Sequence, residues 1–272
     1  MKSFTNKVAV ITGAGSGIGR ALAQQLSAEG ALLALSDVNI KGLEETQASL
    51  TGGGKVLITQ LDVADRSAFE QYAKDVITEF GHADLLFNNA GVALAQTVND
   101  CSYDDFEWLM NINFWGVVYG TKSFLPHMLE RPEAAIINVS SIFGIIALPT
   151  QSQYNAAKFA VRGFTESLRQ EVKDSNVYVG CVHPGGIKTN IVVNGRMHTS
   201  MVGEQTHTQQ IEEFNKMART TPQKAAQTIL NGVRKNKRRI LIGQDAKFMD
   251  RIQRLFPEKY TSIFGALLKL AS

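Results

Sequence analysis

Residues 7–19 read KVAVITGAGSGIG, an apolar run that passes directly into glycines. The first five residues, rich in valine and isoleucine, read as a strand. Thr12-Gly13-Ala14-Gly15-Ser16-Gly17-Ile18-Gly19 follows, and a helical pattern begins inside it. Glycine lets the backbone turn sharply and approach a ligand closely, and the free N–H groups of a helix N-terminus attract phosphate. A dinucleotide pyrophosphate is therefore expected on Gly13, Ser16, Gly17, Ile18 and Gly19. The spacing is Gly-x-x-x-Gly-x-Gly, unlike the commoner G-x-G-x-x-G. A plain tight turn is the alternative, and the position between strand and helix argues against it.

Outward from this loop, short apolar runs alternate with helical patterns. Strands are expected at 7–11, 32–35, 56–59, 84–87, 135–139, 177–182 and 239–242. They are continuously apolar, as strands covered on both faces must be. Helices are expected near 17–29, 40–50, 66–80, 103–130, 152–174 and 222–235, the last with Thr221 as N-cap and Pro222 in its first turn. Such alternation implies right-handed crossovers and a doubly wound parallel α/β sheet, Rossmann-like, with residues 1–272 forming one domain. The polar stretch 188–220, containing Gly195 and Gly203, falls outside the alternation and is expected to be a mobile lid over the substrate, with a disordered surface insertion without function as the alternative. The tail 244–272 also falls outside. Its apolar residues at 248, 249, 252, 255 and 256, then 260, 263, 264, 267 and 268, form the stripes of two amphipathic helices.

Two further features carry chemistry. Asp37 ends the second strand, where a carboxylate accepts hydrogen bonds from ribose hydroxyls and repels a 2′-phosphate. Neither Ser16 nor Val38 supplies a cation for that phosphate, so NAD(H) is favoured over NADP(H). Tyr154 and Lys158 stand at i and i+4, on one helix face, with Ser141 ahead of them. A phenol titrates near ~10 in water, and a neighbouring cation lowers that value. The set reads as a proton-transfer device. Taken singly, each residue has an ordinary structural role: a buried tyrosine with a partner, a solvated lysine, a serine in a turn.

Together these residues resemble the short-chain dehydrogenase/reductase family, over nearly the whole chain up to about residue 243. Thr12–Gly19 is similar to its glycine-rich loop, Asn88-Asn89-Ala90-Gly91 to its NNAG motif, and Asp62-Val63 to the pair beside the adenine. Asn113, Ser141, Tyr154 and Lys158 match the catalytic tetrad, and Pro184-Gly185 through Ile187 and Thr189 match the segment that closes over the nicotinamide. Ala157 stands where many members carry serine. The resemblance implies hydride transfer between NAD and a secondary alcohol or ketone. Tyr154 would be the acid–base, and Lys158 would both acidify it and hold the nicotinamide ribose. Ser141 would orient the substrate oxygen, and Asn113 would hold a relay water. It also implies a homodimer or homotetramer paired through the helices carrying residues 108–128 and 154–172. An NADPH-dependent ketone or acyl-carrier reductase is the alternative within enzymology. A non-catalytic dinucleotide-binding regulator or scaffold is the alternative outside it.

Substrate contacts are expected from Ser141, Phe143, Tyr154 and Gly185. The segments 142–148 and 92–94 are largely apolar and carry no arginine to grip a carboxylate, which favours a lipophilic substrate. Several of these side chains could equally face the core. The net charge of +3 gives no electrostatic case for nucleic acid as main partner. The basic run at 234–239 could attract anionic lipid or nucleic acid, and reads first as a solvated helix end and turn. No histidine pair has metal-ligand spacing, and His183 reads as a structural residue. Cys101 and Cys181 match no metal motif and read as reduced thiols of a cytoplasmic protein. No secretory leader or membrane span is expected. The tail could pack on the body or a neighbouring subunit, cover the substrate entrance, or touch a membrane surface peripherally.

Overall fold

The computed structural model describes residues 1–199 and 206–271. In chain order the elements are β1 (Val8–Thr12), α1 (Gly17–Ala28), β2 (Leu32–Asp37), α2 (Ile40–Ala48), β3 (Val56–Gln60), α3 (Arg66–Phe80) and β4 (Leu85–Asn88). There follow β5 (Leu94–Ala95), α4 (Tyr103–Met110), α5 (Gly116–Leu129), β6 (Ala134–Val139), α6 (Ser152–Glu171) and β7 (Val177–Pro184). The chain continues with β8 (Arg196–Met197), α7 (His207–Met217), α8 (Pro222–Arg234), β9 (Arg239–Ile242), α9 (Gln244–Leu255) and α10 (Tyr260–Ala271).

Seven parallel strands form one sheet in the order β3-β2-β1-β4-β6-β7-β9. Strand β1 shows why these runs are apolar throughout. Ala9 and Ile11 join Leu22, Leu26, Ile229 and Val233 under α1 and α8. Val8 and Val10 join Phe69, Tyr72, Phe124 and Leu168 under α3, α5 and α6 on the other face. With both faces covered, the period-two alternation of a half-exposed strand has no reason to appear. After β3 the winding returns to the far side of β1, so the carboxyl ends of β1 and β4 flank a crevice.

Three places differ from expectation. The helix expected over 103–130 is interrupted by a π-helical turn, Asn111–Trp115, which separates α4 from α5. A π turn inserts one extra residue and rotates the face presented downstream, something apolar periodicity does not register. The polar stretch 188–220 contains structure: β8 pairs with β5, and α7 begins at a reciprocal capping box between Thr206 and Gln209. That Thr-x-x-Gln signature is legible in the sequence and went unread. Residues 200–205, including Gly203 of the expected lid, lie outside the described residues. In the tail, Met249 and Ile252 of α9 pack inward with Tyr260 and Phe264 of α10, whereas Phe248, Leu255 and Phe256 of the same expected stripe are exposed. The side chains at 267 and 268 lie outside the described set. Among the described residues no helix is long and apolar enough to cross a membrane.

At the amino ends of the strands, Asp84 is fully buried. Its carboxylate accepts the Val8 N–H at 3.0 Å and Arg131 Nε at 3.0 Å, with His82 Nε2 at 3.2 Å. It ties the start of β1 to the chain between α5 and β6. Asp84→Ala strands a buried N–H and removes the partner of Arg131. A loss of about 2–4 kcal/mol in urea unfolding is expected, and Asp84→Asn should lose less.

Candidate active site

Thr12, the last residue of β1, organises the crevice. Its hydroxyl accepts the N–H groups of Asn89 and Ala90, each at 3.0 Å. In return the Asn89 side-chain amide donates to the carbonyls of Thr12 and Gly13 at 2.9 and 3.2 Å. Gly13 has φ +65°, and a Cβ there would lie 2.8 Å from Ala90 Cα. The loop can exist only with glycine at this point. Ser16 occupies the N-cap of α1, yet its hydroxyl makes no capping bond. Together with the free N–H groups of Gly17, Ile18 and Gly19, it offers donors to an anion. Thr189 closes the other side, its methyl 3.1 Å from where a side chain at Gly17 would begin.

Asp37 lies at the rim, its carboxylate accepting Gly15 N–H at 2.9 Å and Asn39 N–H at 3.0 Å. A cation that no sequence motif marks also stands here. Arg20 donates to the Gly15 carbonyl at 2.5 Å, to Thr46 Oγ1 at 3.0 Å and to Glu45 at 2.9 Å. Asp62 accepts the Ala64 N–H at 2.9 Å, while Val63 is buried against Gly116. Ile187 has its side chain in the core. A glycine-built cradle, an uncapped helix start and a carboxylate at the end of β2 suit a dinucleotide. Among the described residues no cluster of His, Cys, Asp and Glu could hold a metal ion.

Ser141, Tyr154, Lys158 and Asn113 converge beside this cradle, all buried. Ser141 caps a short 3-10 turn, Ile142–Gly144, its oxygen accepting the Phe143 N–H at 3.1 Å. Its hydroxyl neighbours the Tyr154 phenol and favours the charged form of that group. The Phe143 ring stands edge-on to Tyr154 at 6.0 Å. Lys158 Nζ lies 5.6 Å from the centre of the Tyr154 ring and donates to the Val139 carbonyl at 3.1 Å. The π turn delivers Asn113, whose amide both accepts the Val92 N–H at 2.8 Å and donates to the Val92 carbonyl at 2.9 Å. Gly91 packs between the two groups: a Cβ there would meet Asn113 Oδ1 at 3.0 Å and Lys158 Nζ at 3.4 Å.

Burial dominates the electrostatics. It pushes the Tyr154 phenol up to about 12, against a lowering by the Ser141 hydrogen bond. It pulls the Lys158 ammonium down to about 8. In the free protein desolvation thus outweighs the expected lowering of the phenol by lysine. At 5.6 Å, and committed to Val139, the ammonium does not outweigh desolvation.

Neighbouring residues fix this geometry, and among them Asn155 and Asp245 carry no sequence signature. Asn155 donates to the carbonyls of Phe143 and Ile146 at 2.7 and 2.8 Å, holding the turn after Ser141. His183 Nδ1 donates to the Ser141 carbonyl at 2.9 Å, and burial depresses the ring's pKa to about 4. Asp245 of α9 accepts the Gly186 N–H at 2.7 Å, latching the 184–189 segment. Tyr260 Oη accepts the Ala147 N–H at 3.0 Å, and Phe264 packs with Ile142, Ile145 and Ile146. Those three isoleucines therefore face the tail. Phe143 packs against this group as well and also joins Leu94, Leu109 and Trp108 around Tyr154. The expected lid is anchored through Arg196, which pairs with Asp105 and lies 3.9 Å over the Trp108 ring.

A family model described as short chain dehydrogenase matches residues 7–199. The Mycobacterium tuberculosis protein SadH is 48% identical over 271 residues, covering 98% of this chain and 96% of that protein. A short chain dehydrogenase/reductase from Burkholderia phymatum, solved in complex with NAD, superposes with a TM-score of 0.85. Its identity is 28%, with 95% of this chain and 96% of that chain covered. An alcohol dehydrogenase from the archaeon Thermococcus sibiricus, complexed with 5-hydroxy-NADP, gives a TM-score of 0.74 at 25% identity, covering 87% and 95%.

The depressed His183 pKa has a direct consequence for stability. The unfolded chain binds a proton near ~6.5 and the folded one only near 4, so stability falls as pH drops through that window. A loss on the order of 1–3 kcal/mol between pH 7 and pH 4 is expected from this group. His183→Asn, followed by denaturant unfolding at both pH values, should remove that part of the slope.

Proposed function

We propose that this chain, which belongs to the short chain dehydrogenase family, transfers hydride between NAD(H) and a lipophilic secondary alcohol or its ketone. The observation that carries the reading is a buried phenol beside the Ser141 hydroxyl, with the Lys158 ammonium 5.6 Å from its ring, next to a glycine-built cradle. The bound dinucleotide would supply the two-electron chemistry. Gly13, Ser16, Gly17, Ile18 and Gly19 would hold its pyrophosphate, and Asp37 a ribose. Asp62, Val63, Asn89, Ala90, Gly91, Pro184, Gly185, Ile187 and Thr189 would line the rest of its path.

Tyr154 would take the proton of the substrate hydroxyl during oxidation and return it during reduction. Ser141 would orient the substrate oxygen and stabilise charge on it. Lys158 would hold positive charge near the phenol, and Asn113, anchored twice on Val92, would set the backbone beside it. A lipophilic substrate is supported by the apolar surroundings of the phenol: Leu94, Leu109, Trp108, Met110 and Phe143. The exposed Trp115 and Phe159, with Trp115 stacked on Tyr119 at 5.9 Å, support pairing into a homo-oligomer through α5 and α6.

A second reading, NADP(H), has Arg20 in its favour, since its guanidinium reaches the Gly15 carbonyl. Against it, Glu45 already neutralises that charge, and the Asp37 carboxylate would face a 2′-phosphate.

Tyr154→Phe should lower kcat/KM by roughly 10²–10⁴-fold while leaving NAD(H) affinity, read by fluorescence titration, nearly unchanged. Turnover equal to the parent protein's would sink the assignment. In the oxidative direction the phenolate is the active form, so kcat/KM rises with pH. Lys158→Met removes the charge that favours phenolate and should move that limb to higher pH. Asp37→Ala should weaken NAD by roughly 10–100-fold, the worth of a charged hydrogen bond, and weaken NADP far less. Equal losses for both would refute the role given to Asp37.

A further inference from the structure

Helix α9 distributes its charge unevenly. Both of its carboxylates point inward: Asp245 holds the Gly186 N–H, and Asp250, only 4% exposed, pairs with Arg239 and Arg254. Its outward arc carries Lys247, Arg251 and Arg254 beside Phe248 and Leu255, and Phe256 follows. These three large apolar side chains are 48%, 70% and 45% exposed. Along the free edge of β9, between α8 and α9, lies a cleft of about 270 Å³. Lys235, Lys237 and Lys247 line it together with Thr228, Asn231 and Arg239, the last already paired with Glu166 and Asp250, and no carboxylate lines it. Lys247 belongs to both features, so the cationic cleft and the apolar arc form one continuous face.

We propose that this face docks on an anionic phospholipid bilayer, with headgroup phosphates in the cleft and Phe248, Leu255 and Phe256 in the interfacial layer. Cations flanking exposed aromatic and leucine side chains match the boundary between headgroups and acyl chains. Nucleic acid would satisfy the lysines and leave the apolar residues in water. A second copy fits poorly, because a two-fold contact through this face would bring two surfaces of like positive charge together. The proposal is independent of the hydride chemistry. It would place the enzyme at the surface where lipophilic substrates accumulate.

Flotation of the full chain with phosphatidylcholine vesicles, with and without roughly one third phosphatidylglycerol, tests it directly. Binding to the anionic vesicles only, weakened by added salt, is expected. A cation near such a surface contributes about fivefold, so Lys247→Glu/Arg251→Glu should lose at least about tenfold in vesicle affinity. Phe248→Ser/Leu255→Ser should abolish the binding that survives high salt. Both variants should keep parental turnover on a water-soluble alcohol. Absence of binding, equal binding to neutral vesicles, or parental binding by the charge-reversed variant would overturn the proposal. So would light scattering that shows an assembly dissolved by Lys247→Glu/Arg251→Glu, since a second copy would then cover this face.

Discussion

The Thr12 hydroxyl, accepting two N–H groups from the loop after β4, is the constraint on which the site depends. Parallel strands fix the distance between β1 and β4 but leave the loops beyond them free to diverge. Thr12 and Asn89 exchange hydrogen bonds that cancel this freedom and bring Gly13 against Ala90. One side of that junction is the start of α1, with its unsatisfied donors. The other side is Gly91, which leaves room for Asn113 and Lys158 to approach each other. A dinucleotide cradle and a proton-transfer set thus share one pair of backbone loops.

Burial is the second organising term, and it acts on the two titrating groups in opposite directions. Withdrawing water raises the phenol and lowers the ammonium, because in each case the charged form loses hydration. The free protein therefore holds the pair with the phenol proton in place. Ser141 offers the main compensation, through the hydrogen bond that partly offsets desolvation. Its own position is held from three sides: by the 3-10 turn it caps, by His183 on its carbonyl, and by the turn that Asn155 secures.

The segment beyond β9 acts on this site from outside. Asp245 latches the Pro184–Thr189 segment, while Tyr260 and Phe264 support the back of the turn that carries Phe143. The turn's isoleucines pack on the tail, and Phe143 bridges that cluster and the Tyr154 ring. A single helical extension thereby braces both the segment beside the dinucleotide cradle and the turn that bears Ser141.

Local chemistry in the chain was enough to specify the sheet, because β-branched runs between helical patterns admit few arrangements once crossovers must be right-handed. It also marked the glycine turn, Asp37 and the Tyr154–Lys158 pair, since each depends on residue type at short spacing. Other features depend on groups far apart in sequence and had no local signature. Arg20 reaches Glu45 across two helices, and Asp245 reaches Gly186 from beyond the last strand. The titration behaviour of Tyr154 belongs to this second group. Spacing places a cation near the phenol, but only the packed interior determines how much water is removed from each, and here desolvation outweighs the charge.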